Sequence, residues 1–258
     1  LRDAHATKNF FGYRNILQKF YGSSDSMKIT HLIFDLDSTL YAPTADITAG
    51  FLNRTIAFVS EFFHISREEA CAKRLRNLPN FSTTLEWLQS EGLTDVESYL
   101  TYMHPESEAD ELEADANLRP LLASIGIPKS ILTNSPLEHA ERVLKKLNVA
   151  DEFESICDIR DCNFRGKPYE TAYRAALKKC GGTTGGTLFF DDQFKYVDGY
   201  AALGGVAILV GTHNGTHLGA GASPELTAVS APPLHPGRVL RMADMYALPV
   251  LLKQIADL

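Results

Sequence analysis

The chain has 258 residues, of which 45% are hydrophobic and 22% charged, and its formal net charge is −7. That length fits one large domain, or a core with a smaller insert, and it can bury a core without staples. The acidic balance argues against a nucleic-acid polymer or an anionic membrane as main partner, and no apolar run reaches membrane-spanning length.

In residues 1–26, Phe10, Tyr13, Leu17, Phe20 and Tyr21 fall at helical spacing, with Arg2, Lys8, Arg14 and Lys19 beside them. An organellar targeting segment has this basic, acid-poor character. An extra helix packed on the domain, or sequence upstream of a native start at Met27, fits as well, and these readings are preferred.

"MKITHLIFD" reads as a buried strand from its apolar, β-branched content. A helical stretch follows. "ITAGFLNRTIAFVSEFF" carries a helical apolar period, and "SREEACAKRLRNL" opens on Ser66 with Glu69 three residues on, a capping box. "STTLEWLQSEG" and "TDVESYLTYM" predict two shorter helices, the second with Thr94 and Glu97 as its box. "HPESEADELEAD" reads as a solvated acidic turn, and "ANLRPLLASIG" as a helix returning to the core. Phe51, Asn53, Arg54, Phe58, Phe81 and Trp87 are candidates to line a cleft, but most aromatics there suit a helical core, and none is given a substrate role.

Beyond this stretch strands and helices alternate: "KSILTNS", then a helix over "PLEHAERVLKKLN" capped by Ser135, with Pro136 at its first position and Glu138 completing a box. "FESICDI" is a strand, and the helix "PYETAYRAALKKCGG" runs from Pro168 to Gly181. "GTLFFDD", "QFKYVDGYAALGG" and "VAILVG" give strand, helix and strand, and "ADMYALPVLLKQIADL" closes with a helix. This alternation predicts an α/β fold, a doubly wound, Rossmann-like parallel sheet. Its expected division is an extension over 1–26, the core over 27–45 and 119–258, and an inserted all-helical cap over 46–118. Residues 211–236 read as a Gly/Pro-rich surface loop, and His213, His217 and His235 within it lack a helix to present them to a metal. Cys71, Cys157, Cys162 and Cys180 match no zinc spacing and read as reduced, mostly buried thiols, which predicts a cytoplasmic location, or an organellar one if 1–26 is a targeting segment.

Three strand ends carry polar residues that a core rejects. The first bears Asp35, Asp37 and Thr39, the second Thr133, Asn134 and Ser135, and the third Asp191 and Asp192. Lys167 precedes a helix start. In an open parallel sheet these ends form the ligand edge. Carboxylates gathered there repel unless a cation intervenes, and an all-oxygen site with open positions suits Mg²⁺. Two carboxylates one residue apart can then divide the work, one as nucleophile and the other as general acid and base. Lys167, Thr133 and Asn134 can hold phosphoryl oxygens. Each piece has a plainer use, since D-x-D can shape a turn and Asp191–Asp192 can cap a helix. The recurrence at one sheet edge is what those uses do not explain.

"DLDST", "LTNS", "GKP" and "FFDD", in that order, resemble the haloacid dehalogenase superfamily of phosphohydrolases, over about Met27 to Gly211. The resemblance implies that Asp35 becomes the aspartyl phosphate, that Asp37 is the acid/base whose carbonyl also binds Mg²⁺, and that Thr133 binds phosphate with Asn134 beside it. It implies that Lys167 steadies nucleophile and phosphoryl group, that Asp192 is the principal acidic metal ligand, and that Asp191 is a second acid beside it. "FDLDSTLY", "LTNSPLEHAERVLKKLNVADEFESICDIRD" and "ALPVLL" look like the pyrimidine 5′-nucleotidase branch. One departure is Tyr196, where related sequences often carry Asn for a supporting contact. The function so implied is hydrolysis of a small phosphorylated metabolite, such as a pyrimidine nucleoside monophosphate. Sugar-phosphate mutase or phosphoglycolate-type phosphatase activity on the same core, and a degenerate metabolite- or partner-binding protein, are the alternatives. The oligomeric state is left open.

Overall fold

The computed structural model describes residues 28–43, 45–211 and 239–256. The expected extension over 1–26 and the loop holding His213, His217 and His235 lie outside them.

Six parallel strands form one sheet in the order β3-β2-β1-β4-β5-β6. They are β1 (His31–Phe34), β2 (Lys129–Leu132), β3 (Ser155–Cys157), β4 (Thr187–Asp191), β5 (Val206–Val210) and β6 (Val239–Met242). Five answer to predicted strands. Edge strand β6 falls in "RVLRM", a short segment in which two arginines interrupt the apolar run. Strand order reverses between β1 and β4, so the crevice beyond their carboxyl ends is the ligand position of such sheets.

Alternate strand residues feed opposite faces. Leu32, Phe34, Ile131, Leu188, Phe190 and Ile208 join one cluster, with helices α5 (Leu118–Ala123), α6 (Leu137–Lys146) and α9 (Leu248–Ala256). Ile33, Leu132, Phe189, Ala207 and Leu209 join the other, with α7 (Glu170–Cys180) and α8 (Phe194–Ala202). The stacked Phe34 and Phe190 rings, 4.5 Å between centroids, hold β1 against β4 next to the crevice.

Between β1 and α5 run α1 (Asp46–Phe63), α2 (Arg67–Asn77), α3 (Thr84–Ser90) and α4 (Val96–Met103). They bury a third cluster around Trp87, Leu88, Val59 and Met103, which Ile159 of the loop after β3 also joins. Phe51, Phe58, Phe81 and Trp87 all serve this cluster. Ser66 and Glu69 form the expected capping box of α2. The second expected box does not form, because Asp95 is the cap of α4 and Glu97 binds Arg160 instead. Gly181 ends α7 in the left-handed conformation (φ 68), as its position past the last helical residue requires.

Two further expectations are corrected. Residues Glu106–Glu111 are not a solvated turn but a 3-10 turn that buries Glu108. Ser135 does not cap α6. The first helical residue is Leu137, whose N–H donates to Asp158 Oδ2 at 2.9 Å. All four cysteines are unpaired; Cys157 and Cys162 are buried, Cys180 is partly buried and Cys71 is exposed. Among the described residues no helix is long and apolar enough to cross a membrane.

Candidate active site

The carboxyl end of β1 delivers Asp35, and its N–H continues the β1–β4 pairing to Phe190 O at 2.8 Å. Leu36 turns into the core at 0% exposure, and the chain then bends, with Ser38 left-handed (φ 63). That bend, which the alternation of a strand does not foretell, sends Asp37 into surroundings unlike those of Asp35.

Asp35 is buried and held at both oxygens. Lys167 Nζ lies 2.5 Å from Oδ1, and Thr39 Oγ1 donates to Oδ2 at 3.0 Å. The same ammonium reaches Asp191 Oδ2 at 2.6 Å, and Asp191 Oδ1 accepts from Gln193 N at 2.8 Å. Lys167 comes from the loop after β3, where Asn163 and Phe164 are both left-handed (φ 53 and 58). Asn134 clamps its backbone, accepting from Lys167 N at 2.7 Å and donating to Lys167 O at 3.1 Å. A Cβ on Gly166 would meet Asn134 Oδ1 at 2.0 Å, so any larger residue before Lys167 must displace this clamp. The expected phosphate-binding amide of Asn134 is thus committed to seating Lys167. Thr133 is fully buried, and its Oγ1 accepts from Ser135 N at 3.0 Å.

Ligand oxygens of Asp35, Asp191 and Asp192 lie within 4.8 Å of one another. Burial, then the Asp35 charge, pushes Asp192 up to about 7. Burial raises Asp35 and Asp191 as well, against the pull of the lysine they share. Lys167 is raised in turn, because the charges of Asp191 and Asp35 overcome its own burial. One ammonium does not balance these carboxylates. Their donor set is all hard oxygen, which fits Mg²⁺.

Asp37 makes no contact with Lys167. Its Oδ1 accepts from Tyr41 OH at 2.6 Å and meets His139 Nε2 at 2.7 Å, while Ser135 Oγ donates to Oδ2 at 2.9 Å. Burial pushes its carboxyl up, but the charge and hydrogen bond of His139 outweigh that and hold it well below the carboxylate range. His139, on α6, is pulled up to about 9 despite burial, because carboxylates flank both ring nitrogens. On its other side Nδ1 lies 2.6 Å from Glu108 Oε1. Glu108 also takes His104 Nδ1 at 3.0 Å and Arg142 at 2.9 Å. The two histidines hold it down at about 2, although burial works the other way.

The seven predicted site residues therefore form two groups. Lys167 gathers Asp35 and Asp191, with Asp192 beside them, and Thr133 and Asn134 brace the neighbouring loops. Asp37 stands apart with Tyr41, Ser135 and His139. Tyr41, His139 and Glu108 received no role from the sequence, although Tyr41 and His139 lie in the "TLY" and "HAERVL" stretches. Tyr196 faces Lys167, with Nζ 5.1 Å from the ring centroid, and its hydroxyl donates to Ser82 O at 3.1 Å. In place of an Asn contact it lays an aromatic face on the lysine and reaches the helical segment.

The family described as haloacid dehalogenase-like hydrolase matches residues 29–204. Among solved structures, a HAD phosphatase from Thermococcus onnurineus superposes with TM-score 0.58 at 19% identity, covering 88% of this chain and 98% of that one. A beta-phosphoglucomutase from Clostridium difficile gives 0.57 at 17%, covering 89% and 98%. An L-2-haloacid dehalogenase from Xanthobacter autotrophicus gives 0.52 at 18%, covering 87% and 98%. At such identities the likeness is one of fold.

Proposed function

The chain belongs to the haloacid dehalogenase-like hydrolase family, and from that premise we propose that it is a Mg²⁺-dependent phosphomonoester hydrolase working through an aspartyl phosphate. The observation that carries this reading is the split between Asp35 and Asp37. Two carboxylates one residue apart sit in different environments, which is how one site runs two chemistries.

Asp35 is the nucleophile. One of its oxygens attacks phosphorus, and the bond from phosphorus to the ester oxygen breaks. Asp37 is ionised in the free site, so it takes up a proton as the negatively charged phosphoryl group arrives beside it. It gives that proton to the departing oxygen, then takes one from the water that cleaves the aspartyl phosphate, which regenerates Asp35 and releases inorganic phosphate. Lys167 keeps Asp35 aimed and, with Thr133, faces the charge of the phosphoryl oxygens. Asp35, Asp191 and Asp192 would hold Mg²⁺, with the Asp37 carbonyl. Bound there, the ion supplies positive charge against both the carboxylates and the phosphoryl group. A built position for an acid at Asp37 favours an oxygen leaving group over a halide, which needs no proton.

The helices over 46–118 form the cap, and the substrate is a small phosphorylated metabolite such as a pyrimidine nucleoside 5′-monophosphate. The "TLY" and "HAERVL" stretches support that class, and Tyr41 and His139 from them both touch Asp37. The test is phosphate release with Mg²⁺ from nucleotides, sugar phosphates and phosphoglycolate, in the native chain and in Asp35→Asn. Turnover is expected in the first and none in the folded second; persistent activity in Asp35→Asn refutes the mechanism. An isomerised sugar phosphate without net phosphate release would make the chain a mutase.

A further inference from the structure

His104, Glu108 and His139 bring ligand atoms within 4.8 Å of one another, as a metal site does. Their other partners argue against a metal. Both nitrogens of His139 already face carboxylates, and two arginines converge on Glu108. A further cation there meets repulsion from both guanidinium groups.

The arrangement has a direction instead. Glu108 is only 1% exposed, and its two oxygens serve different parts of the chain. Oε1 takes His139 at 2.6 Å and Arg142 at 2.9 Å, both on α6 of the sheet domain. Oε2 takes His104, at the end of α4, at 3.0 Å, and faces Arg54 of α1 at 3.7 Å. Arg142 also donates to His104 O at 2.8 Å, and Arg54 to Met103 O at 2.9 Å. From this hub the His139 ring extends to Asp37 Oδ1 at 2.7 Å.

Resting on the hydrolase reading above, we propose that His139 is a positioning residue for Asp37. Glu108 fixes the ring and ties its setting to the helical segment that carries His104 and Arg54. An imidazole with one nitrogen anchored in a buried carboxylate has little freedom to turn, so its second nitrogen holds the Asp37 carboxyl in one place. This is the support that a proton-transferring group needs from its surroundings. The seat of Asp37 then depends on the packing of α1 and α4 against α6, not on β1 alone.

The two nitrogens can be tested apart. The amide of asparagine reproduces the Nδ1 position and that of glutamine the Nε2 position. His139→Asn keeps a donor for Glu108, so the buried carboxylate stays partnered, but it releases Asp37. His139→Gln keeps a donor for Asp37. The readout is kcat/KM, which covers steps through departure of the leaving group, for glycerol phosphate and 4-nitrophenyl phosphate. The alkoxide needs a proton to leave, and the nitrophenolate does not.

Loss of general acid catalysis costs about 10²–10⁴-fold. His139→Asn is expected to lose on the order of 10²-fold on glycerol phosphate and less than about tenfold on the aryl ester. His139→Gln should recover most of the glycerol phosphate rate. In an Asp37→Asn background, His139→Asn should cost nothing further, because both changes remove one function. Equal losses on the two esters, or a full additional loss in the Asp37→Asn background, overturn the positioning role and leave the hydrolase reading intact. No phosphate release by the native chain from either ester, nor from the nucleotides, sugar phosphates and phosphoglycolate named above, overturns both.

Discussion

Replacing Lys167 by methionine removes the one ammonium that two buried carboxylates share. Nζ lies 2.5 Å from Asp35 and 2.6 Å from Asp191, and the three side chains are 1%, 9% and 0% exposed. Methionine keeps most of the volume, so the change is chiefly one of charge. Breaking a buried pair from one side costs about 3–5 kcal/mol, because the remaining charge stays buried without its partner. At about 2–4 °C per kcal/mol for a chain of this size, Tm should fall by roughly 6–20 °C. The loss depends on pH. Asp35 and Asp191 already titrate above their ordinary range, and without the lysine they rise further. A carboxyl raised on folding contributes stability that is present below its unfolded pKa of about 4 and is lost as pH rises through the folded value. The variant should therefore lie nearest the native chain at about pH 5 and furthest from it at about pH 8. Asp191→Asn added to Lys167→Met should restore much of the loss, since it removes a charge left without its partner. Thermal melts in EDTA at the two pH values measure all of this. A Tm within about 2 °C of the native chain at pH 8, or a deficit that shrinks as pH rises, would refute the reasoning.

Mg²⁺ at about 100 times its Kd should stabilise the native chain by about 2.7 kcal/mol. The gain should shrink below pH 7, because protons compete at Asp192, which is pushed up to about 7. Differential scanning fluorimetry at several pH values checks this, and a Mg²⁺ shift that grows toward acid would contradict it. Gly166→Ala must displace Asn134, which clamps the Lys167 backbone. It should cost about 1–3 kcal/mol in a urea titration and lower kcat more than it raises KM. Asp158→Ala removes the acceptor at the amino end of α6. It should cost about 0.5–2 kcal/mol in the same titration without abolishing turnover.

The middle of the sheet was legible because β1, β2 and β4 carry runs of Ile, Leu and Phe that end abruptly in Asp or Thr. The candidate nucleophile and its neighbours stood out for the same reason, as polar residues at a buried strand's carboxyl end. Glu108 gave no such sign. In "HPESEADELEAD" it is one acid among several, and its burial depends on His139 and Arg142, 31 and 34 residues away. Ser135 had the right residue type and place for a cap, but the competing acceptor, Asp37, is distant in sequence and near in space. Asp158 took over the amino end of α6 from beyond β3, a contact that local spacing does not encode. Edge strand β6 is held by pairing with β5, and its own sequence carries little of that signal. What the sequence hid was in each case a partner brought in by the fold.

The central claim is that Asp35 carries the phosphoryl group. Acid-quenched turnover of a ³²P-labelled phosphomonoester with Mg²⁺, followed by peptide mapping, tests it most directly. The label should fall on the peptide containing Asp35 and be absent in Asp35→Asn. Steady phosphate release with no labelled peptide, or label on any other residue, would contradict it.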